Sequence, residues 1–188
     1  MSPTNPKPDA QGGGDFVRQI PEGDDRPRLV CSDCGFIRYE NPVVVVGSVA
    51  HWEGRILLCR RAIEPRKGFW TLPAGYLELN EMTADGAKRE AWEEARARLD
   101  IEQLLGVYTI PRISQVQLIY KARLVSPDVS PGPESAETAL VTWDEIPWDE
   151  IAFPSVHWAL NDFKAVADQP VFAPRVNPPG EVGDFTPR

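Results

Sequence analysis

Residues 83–99, TADGAKREAWEEARARL, are the stretch that decides the fold. Small side chains recur in it at helical spacing, at Ala84, Ala87, Ala91 and Ala95, and this pattern predicts an amphipathic helix. Because the alanine side chains are short and lie in one narrow stripe, the helix can pack closely against a sheet.

Three glutamates, Glu90, Glu93 and Glu94, lie within an arc of roughly 100° beside the alanine stripe. Like charges at these spacings destabilise an isolated helix by about 0.2–0.5 kcal/mol per pair, and partial burial adds to that cost. Arg89 can pair with Glu93 at i,i+4, but one guanidinium cannot neutralise three carboxylates. A hard divalent cation such as Mg²⁺ can, because it prefers oxygen ligands. A solvated acidic helix face is the alternative interpretation of these residues alone.

The residues before this helix favour the interpretation that the three glutamates bind a metal ion. From Gly75 the chain reads GYLELNEMTADGAKREAWEEARA, with five residues between Gly75 and Glu81 and seven between Glu81 and the REAWEE segment. This stretch resembles the Nudix box, a signature with fixed spacing of its glycine, glutamates and arginine. One position departs from it, because Arg96 stands where the family has glycine. Arg96 predicts either a helix that continues or a left-handed cap strained by about 1 kcal/mol.

The rest of the chain alternates strand and helix patterns. NPVVVVGSVAHW and EGRILLCRR predict two strands joined at Glu53 and Gly54. LLGVYTI, QLIYKARLV and ALVTW predict further strands, and SVHWALNDFKAVAD predicts a second amphipathic helix. The predicted fold class is therefore α/β with a mixed sheet between helices, and the resemblance implies the Nudix α/β/α sandwich.

Four segments follow from these patterns. Residues 1–18 are rich in Pro, Gly and Asp and are predicted to be a disordered head. Residues 19–41 resemble a degenerate zinc-ribbon-like segment, residues 42–168 form the predicted Nudix hydrolase domain, and residues 169–188 are a proline-rich tail.

Two cysteines form a CxxC pair, Cys31 and Cys34, which is half of a tetrahedral zinc site. The segment IPEGDDRPRLVCSDCGFIRYENP resembles the second half of the N-terminal zinc ribbon in the ADP-ribose/FAD pyrophosphatase subgroup. The first CxxC of those relatives is replaced here by QGGGDFVRQ. Zinc is therefore doubtful, and three interpretations stay open: a metal-free turn, a zinc shared by two chains, or a redox-active or solvent-facing pair. Cys59, in an apolar strand, is predicted to be buried.

The resemblance also implies an activity. It is Mg²⁺-dependent hydrolysis, with Mn²⁺ as the alternative ion, of the pyrophosphate bond in a nucleoside diphosphate linked to another moiety. FAD and ADP-ribose are favoured as substrates and AMP is the product. NADH pyrophosphatase is the first alternative, although IPRISQVQLIY does not match the further motif of those relatives. The second is a non-catalytic nucleotide-binding sensor, although such modules usually lose box glutamates that are present here.

Roles in the site follow from the same resemblance. Three glutamates are expected to bind the metal: Glu90, Glu93 and Glu94. The backbone carbonyl of Ala74 or Gly75 is expected to help, and Arg89 is expected to orient a glutamate. The general base stays open between Glu93 and two residues of the SPGPESAET loop, Glu134 and Glu137.

The residues before the box, CRRAIEPRKGFW, are candidates for substrate contacts. Arg60 or Arg61, Arg66 and Lys67 are expected to meet the diphosphate or a terminal phosphate. Trp70 is expected to stack on a base or to pack in the core. Because successive strand residues point to opposite faces, at most one of Arg60 and Arg61 is expected to face the ligand.

Composition limits the partners. The net charge of −8 argues against general binding to nucleic acid, which requires a basic surface. No apolar run approaches the roughly 20 residues of a membrane span, and the N-terminus lacks a secretory signal pattern. These features predict a cytoplasmic protein with a nucleotide-sugar or dinucleotide substrate and no membrane partner. The family resemblance adds a homodimer as a state to test.

Overall fold

The structure of the chain is a computed structural model that describes residues 14–183. The chain forms two compact units, which divide between Asn41 and Pro42. Predictions for residues 1–13 and 184–188 lie outside the described residues.

The first unit contains a three-stranded antiparallel sheet of β1 (Phe16–Gln19), β2 (Arg28–Cys31) and β3 (Ile37–Arg38). Strand β1 corrects the prediction that residues up to 18 are disordered. Phe16 pairs with Cys31 and Val17 with Val30, so the backbone hydrogen bonds of β2 order a segment whose composition alone indicated disorder.

An ion pair stabilises the turn between β1 and β2 in the first unit. The Nε of Arg28 donates a 2.8 Å hydrogen bond to Oδ2 of Asp24. This hydrogen bond lowers the pKa of Asp24 to about 2. Asp24 therefore stays ionised and the turn keeps its partner throughout the neutral pH range.

The second unit contains a seven-stranded sheet, two α-helices and three short 3-10 helices. Its elements are β4 (Val43–Trp52), β5 (Arg55–Arg61), β6 (Trp70–Thr71), β7 (Ala74–Tyr76), α1 (Thr83–Ala95), β8 (Leu99–Ile110), a 3-10 helix (Pro111–Ile113), β9 (Gln115–Leu124), β10 (Ser135–Thr142), two further 3-10 helices (Trp143–Glu145 and Trp148–Glu150) and α2 (Pro154–Ala165).

The sheet is mixed, as predicted. Its main order is β10-β5-β4-β9-β8, with β6 paired to β5 and β7 paired to β4. Strands β4 and β9 are parallel and the other pairs are antiparallel. The predicted turn between β4 and β5 is confirmed: Glu53 and Gly54 both have positive φ, which the tightest two-residue hairpins require.

Strands β4 and β5 separate soon after their shared turn. They pair only at His51 with Ile56 and at Trp52 with Arg55. Beyond that point β4 pairs with β7 and β5 pairs with β6. Strands β6 and β7 therefore supply the partners that β5 and β4 lack beyond the turn, and β7 contains Ala74 and Gly75.

The core lies on both faces of this sheet. On one face Val46 and Ala50 of β4 belong to clusters with the alanine stripe of α1. On the other face Val49 packs in a cluster with Ala159 and Leu160 of α2. Because alternate residues of one strand serve opposite helices, the layers are helix, sheet and helix. The α/β/α sandwich implied by the resemblance is confirmed.

The segment after α2 runs along the outer edge of β8. Arg175 donates a backbone hydrogen bond of 2.8 Å to Leu105 and accepts one of 2.8 Å from Val107. The Asn177 side chain then bonds both the N–H and the carbonyl of Thr109. This part of the proline-rich tail occupies backbone groups that an edge strand would otherwise expose.

Among residues 14–183, neither α1 nor α2 has the length and apolar character needed to span a bilayer.

Candidate active site

Helix α1 ends at Ala95, four residues before the predicted end at Leu99. Arg96 has φ 52° and ψ 21°, which is the left-handed cap that its place in the box allowed. Its backbone N–H donates to the carbonyl of Trp92 at 2.9 Å. The left-handed residue turns the chain out of the helix and into β8, which begins at Leu99.

The three glutamates of α1 differ in burial. Glu90 and Glu94 are each only 8% exposed, whereas the Glu93 side chain is 53% exposed. The two buried carboxylates lie on the side of the helix that meets the sheet, and Glu93 lies at its edge. This arrangement places most of the acidic charge where water cannot fully solvate it.

Arg89 connects the glutamates to the preceding turn. Its Nη1 donates to Oε1 of Glu90 at 2.6 Å and to Oε2 of Glu93 at 2.9 Å. Its Nε and Nη2 donate to the two carboxylate oxygens of Glu81, at 2.8 and 2.9 Å. Its Nη2 also donates to the carbonyl of Tyr76 at 2.9 Å. Arg89 is thus the centre of a network that extends beyond its i,i+4 pair with Glu93.

Glu81 is a site residue to which the sequence interpretation assigned no role. The hydrogen bonds from Arg89 lower the pKa of its carboxyl group, with the backbone N–H of Glu78 as a further donor. Its spacing in the box was the signal that marked it. The structure shows that this spacing brings Glu81 within reach of the Arg89 guanidinium.

Gly75 lies directly against Glu90. A Cβ atom at this position would be 2.3 Å from Oε2 of Glu90, far closer than any real contact. The structure therefore explains why residue 75 is glycine. A side chain larger than a hydrogen atom would prevent the buried carboxylate of Glu90 from approaching the turn before α1.

Glu94 has the most perturbed acidity of the three. Burial is the main cause that raises its pKa to about 8, and the charges of Glu90 and Glu134 raise it further. The charge of Arg61 and the backbone N–H of Ala74 oppose that shift. Oε2 of Glu94 is buried and has no hydrogen-bond partner in the part of the chain that the structure describes. Glu90 shifts in the same direction because of burial, although Arg89 offsets part of the shift.

The loop between β9 and β10 brings Glu134 to the same place. Its Ser130 and Gly132 donate backbone hydrogen bonds of 3.0 and 2.9 Å to the carbonyls of Ala95 and Glu94. These carbonyls belong to the last turn of α1, which has no donors of its own for them. The charge of Glu134 raises the pKa of both Glu90 and Glu94, so its carboxylate lies near theirs.

Arg60 and Arg61 have different partners. The Arg60 Nε donates to the Gly68 carbonyl at 2.8 Å, and its Nη1 lies 3.5 Å from the Glu137 carboxylate. Glu137, one of the candidates for the general base, is therefore directed at Arg60. Trp70 packs against the core beneath the Arg60 guanidinium.

Arg61 is the arginine whose charge reaches Glu94. Its Nε donates to the Pro65 carbonyl at 2.7 Å, and its guanidinium lies 5.2 Å from the ring centroid of Phe153. Of the two arginines, Arg61 is the one near Glu94, whereas Arg60 is directed at Gly68 and Glu137. Arg66 lies further along the same loop, with its guanidinium 4.9 Å from the Phe69 ring centroid.

The carboxylate oxygens of the α1 glutamates are the kind of ligand that a hard divalent cation prefers, although they do not form a complete coordination site. Within residues 14–183, no three His, Cys, Asp or Glu side chains converge as a preformed metal centre. Arg89 holds one oxygen each of Glu90 and Glu93. The buried Oε2 of Glu94, which has no hydrogen-bond partner among the described residues, nevertheless fits a metal ligand, because carboxylate oxygens are what Mg²⁺ and Mn²⁺ prefer.

The CxxC pair does not fit a tetrahedral zinc site within one chain. Cys31 is buried, Cys34 is exposed, and both are free thiols. The chain has only three cysteines and two histidines, and the third cysteine, Cys59, is 1% exposed in the core, as predicted. Two of the usual four zinc ligands are therefore missing.

Comparison with known proteins identifies the two parts of the chain. Residues 41–161, more than half of the chain, match the family model described as the NUDIX domain, and residues 10–40 match the zinc-ribbon model described as Nudix N-terminal. A crystal structure of a NUDIX hydrolase from Nitrosomonas europaea is 45% identical, covers 89% of this chain and 97% of that chain, and has a TM-score of 0.84.

Two curated relatives are similar over shorter stretches. A MutT-like protein from Streptomyces ambofaciens is 37% identical over 54% of this chain, and the match spans 62% of that protein's length. A protein named ADP-ribose pyrophosphatase from Methanocaldococcus jannaschii is 26% identical over 58% of this chain and 67% of its own length. The chain thus spans somewhat under two thirds of the first relative.

Proposed function

Because the chain belongs to the Nudix family, we propose that it is a pyrophosphatase that requires Mg²⁺, or Mn²⁺ in its place. The proposed reaction cleaves the diphosphate of a nucleoside diphosphate linked to another moiety, with ADP-ribose or FAD as substrate and AMP as product. The observation that carries the proposal is the buried, unpartnered oxygen of Glu94 beside the carboxylates of Glu90 and Glu134.

Glu90, Glu93 and Glu94 are the residues that would hold the cation. When bound, it would neutralise the diphosphate oxygens and lower the pKa of a coordinated water. Arg89 limits the rotation of Glu90 and Glu93 through its two Nη1 hydrogen bonds, so their free oxygens keep a fixed direction. A pre-positioned carboxylate loses less entropy when it binds its ligand.

Glu134 is the proposed general base. It comes from outside the helix, and its backbone is held by the 2.8 Å hydrogen bond from the N–H of Ala62 to its carbonyl. A base on a separate loop can remove a proton from water while the helix glutamates serve as ligands. Glu93 is the second candidate, because its side chain is the most exposed of the three on α1.

Arg61 is the proposed phosphate contact near the metal side of the site. Its Nη1 and Nη2 atoms donate to no described residue, whereas its Nε is held by the Pro65 carbonyl. A fixed guanidinium with two free donors matches the geometry of a phosphate oxygen pair. Arg66 and Trp70 stay candidates for contacts with the remainder of the substrate.

The choice of substrate rests on relatives. The Methanocaldococcus jannaschii relative is named ADP-ribose pyrophosphatase, and this supports ADP-ribose for the present chain. FAD is favoured only by the resemblance of the N-terminal segment to the ADP-ribose/FAD pyrophosphatase subgroup. NADH is the alternative substrate, and a non-catalytic sensor is the alternative function. A cytoplasmic location and a homodimer stay predictions.

The deciding experiment incubates the purified chain with ADP-ribose, FAD and NADH, with and without Mg²⁺, and separates the products by chromatography. We expect AMP from ADP-ribose or FAD only when metal is present, and a loss of at least about 100-fold in kcat for Glu94→Gln. The matched control is Glu102→Gln, which removes a β8 carboxylate that contacts His51 of β4. This variant should keep full activity. Tight ADP-ribose binding without any product would contradict the proposed pyrophosphatase activity and support the non-catalytic sensor.

A further inference from the structure

The face of α1 opposite the glutamates carries a small cavity. It has a volume of about 310 Å³ and is lined by Lys88, Trp92, Ala97, Arg98 and Leu99. We call it the Trp92 pocket. Residues two positions apart on a helix lie about 200° apart, so Lys88 and Trp92 are directed away from Glu90 and Glu94. The Trp92 pocket is therefore separate from the candidate active site.

Trp92 is an exposed aromatic side chain between two guanidinium groups. It is 44% exposed, and the guanidinium carbons of Arg96 and Arg98 each lie 5.6 Å from its ring centroid. Contacts between a cation and an aromatic face hold a guanidinium in place without using its N–H donors. Most of the donors of Arg96 and Arg98 thus stay available.

Arg96 occupies its position at a cost. Its φ of 52° lies in the left-handed region, where glycine is free of strain and an arginine costs about 1 kcal/mol. What it does in this structure is cover Trp92 and donate from Nη1 to the Trp92 carbonyl at 3.3 Å.

The positive charges around the pocket are only partly neutralised. Lys88 lies 3.7 Å from Asp85, but neither Arg96 nor Arg98 forms an ion pair with any carboxylate between residues 14 and 183. In a chain with a net charge of −8, Arg98 on the wall of the cavity and Arg96 beside Trp92 are a local reversal of the overall charge. Such a cavity attracts anions, and guanidinium groups match the oxygens of phosphate.

We propose that the Trp92 pocket binds the phosphate group of a small ligand, either inorganic phosphate or a mononucleotide. Its volume is at the lower end of the range for small-molecule sites, which suits one phosphate with a small attached group. The guanidinium of Arg98 and the ammonium of Lys88, which line the pocket, hold the phosphate oxygens, and the guanidinium of Arg96 beside Trp92 adds a third positive charge. The site works independently of hydrolysis, because it shares no side chain with the glutamate network.

Binding can be measured without the active site taking part. The full chain, labelled with ¹⁵N, is titrated in a chelator with inorganic phosphate, AMP or adenosine at constant ionic strength set by chloride. Without a divalent cation the glutamates repel a phosphate. We expect phosphate and AMP, but not adenosine, to shift the indole N–H signal of Trp92, which is identified by its loss in Trp92→Phe.

Variants test the two arginines. Arg96→Gly relieves the left-handed strain and keeps the fold, and Arg98→Gln changes an exposed side chain. Together they should weaken phosphate and AMP binding at least 10-fold. Arg55→Gln with Lys164→Gln removes two charges elsewhere on the second unit, including a cation beside Trp143, and should leave binding unchanged.

Each outcome bears on the proposal. A response to both phosphate and AMP identifies a general phosphate site, and a response to AMP alone identifies a nucleotide site. The proposal fails if the Trp92 signal does not move, if adenosine binds as well as AMP, or if the control variant loses as much affinity as the arginine variant.

Discussion

Arg89 holds Glu81 through both carboxylate oxygens, at 2.8 and 2.9 Å, while its remaining donors hold the glutamates of the same helix. One planar guanidinium thereby sets the positions of carboxylates that precede it and follow it in the chain. The positions of Glu90 and Glu93 consequently depend on a residue that need not touch substrate.

Arg89→Lys tests this positioning role. Lysine keeps the charge but has no planar set of donors, so it cannot serve Glu81 and Glu90 together. We expect kcat to fall at least about 10-fold with a smaller change in KM, because the ligands of the metal lose their fixed orientation. Steady-state kinetics with ADP-ribose measure both constants. Arg123→Lys, at an exposed pair with Asp100, is the control, and equal activity of the two variants would contradict the role.

Glu94 should make stability depend on pH when no metal is bound. Its pKa is raised from 4.5 to about 8, so between these values the folded chain keeps a proton that the unfolded chain releases. The free energy of unfolding must therefore fall as pH rises through this window. We expect Glu94→Gln to lack this loss and to be more stable than wild type by about 2–4 kcal/mol at pH 9.

Urea denaturation in a chelator, at intervals from pH 5 to 9, measures this difference. Added Mg²⁺ should restore the stability of wild type at the alkaline end and leave Glu94→Gln nearly unchanged, because only the ionised carboxylate gains a ligand. Parallel pH profiles for wild type and Glu94→Gln would show that Glu94 is not the titrating group.

Gly75→Ala tests the close approach of Gly75 to Glu90. The added Cβ would meet the Glu90 carboxylate, and overpacking of this kind costs about 1–3 kcal/mol. If the carboxylate is the cause, the same substitution should cost much less in a Glu90→Ala background. Thermal unfolding of the four proteins in this double-mutant cycle gives the coupling directly. A cost that is the same in both backgrounds would place the strain elsewhere.

Asn177→Ala should loosen the segment that covers β8. The side chain replaces a strand partner for Thr109, so its loss leaves two backbone groups without their hydrogen bonds and costs about 1–2 kcal/mol. Hydrogen exchange of the Thr109 amide should accelerate in this variant. Asn161→Ala, at an exposed position of α2, should change neither quantity. Unaltered Thr109 exchange would mean that the segment does not depend on Asn177.

The first unit should fold without zinc. Two thiol ligands are too few for a tetrahedral site, and β1 to β3 are joined by backbone pairing and by the ion pair of Arg28 with Asp24. We expect elemental analysis of the purified chain to find far less than one zinc per chain, and a chelator to leave the thermal midpoint unchanged. Half an equivalent of zinc in a dimer would indicate the shared site, and a full equivalent would overturn the metal-free ribbon.

Local patterns of the sequence determined the elements and the centre of the site. The alanine spacing of α1, the alternating strands and the turn at Glu53 and Gly54 each depend on neighbours a few residues away, and the structure confirms them. The box spacing likewise marked Arg89 and the glutamates, because one helix presents them at fixed angles. Periodicity carries such information wherever the residues that act together are close in sequence.

Only the tertiary structure decided which distant residues lie beside Arg89 and the glutamates of α1. Glu134 lies near the glutamates because its loop donates backbone hydrogen bonds to the last turn of α1. Arg60 and Arg61 are neighbours in sequence, but their side chains bind different carbonyl groups. The order of β1 and of the segment around Asn177 likewise depends on pairing with strands elsewhere in the chain. Hydrogen bonds between distant segments produce no periodic pattern in the sequence of either segment. Composition alone therefore indicated disorder for β1 and a loose tail around Asn177, although pairing orders both.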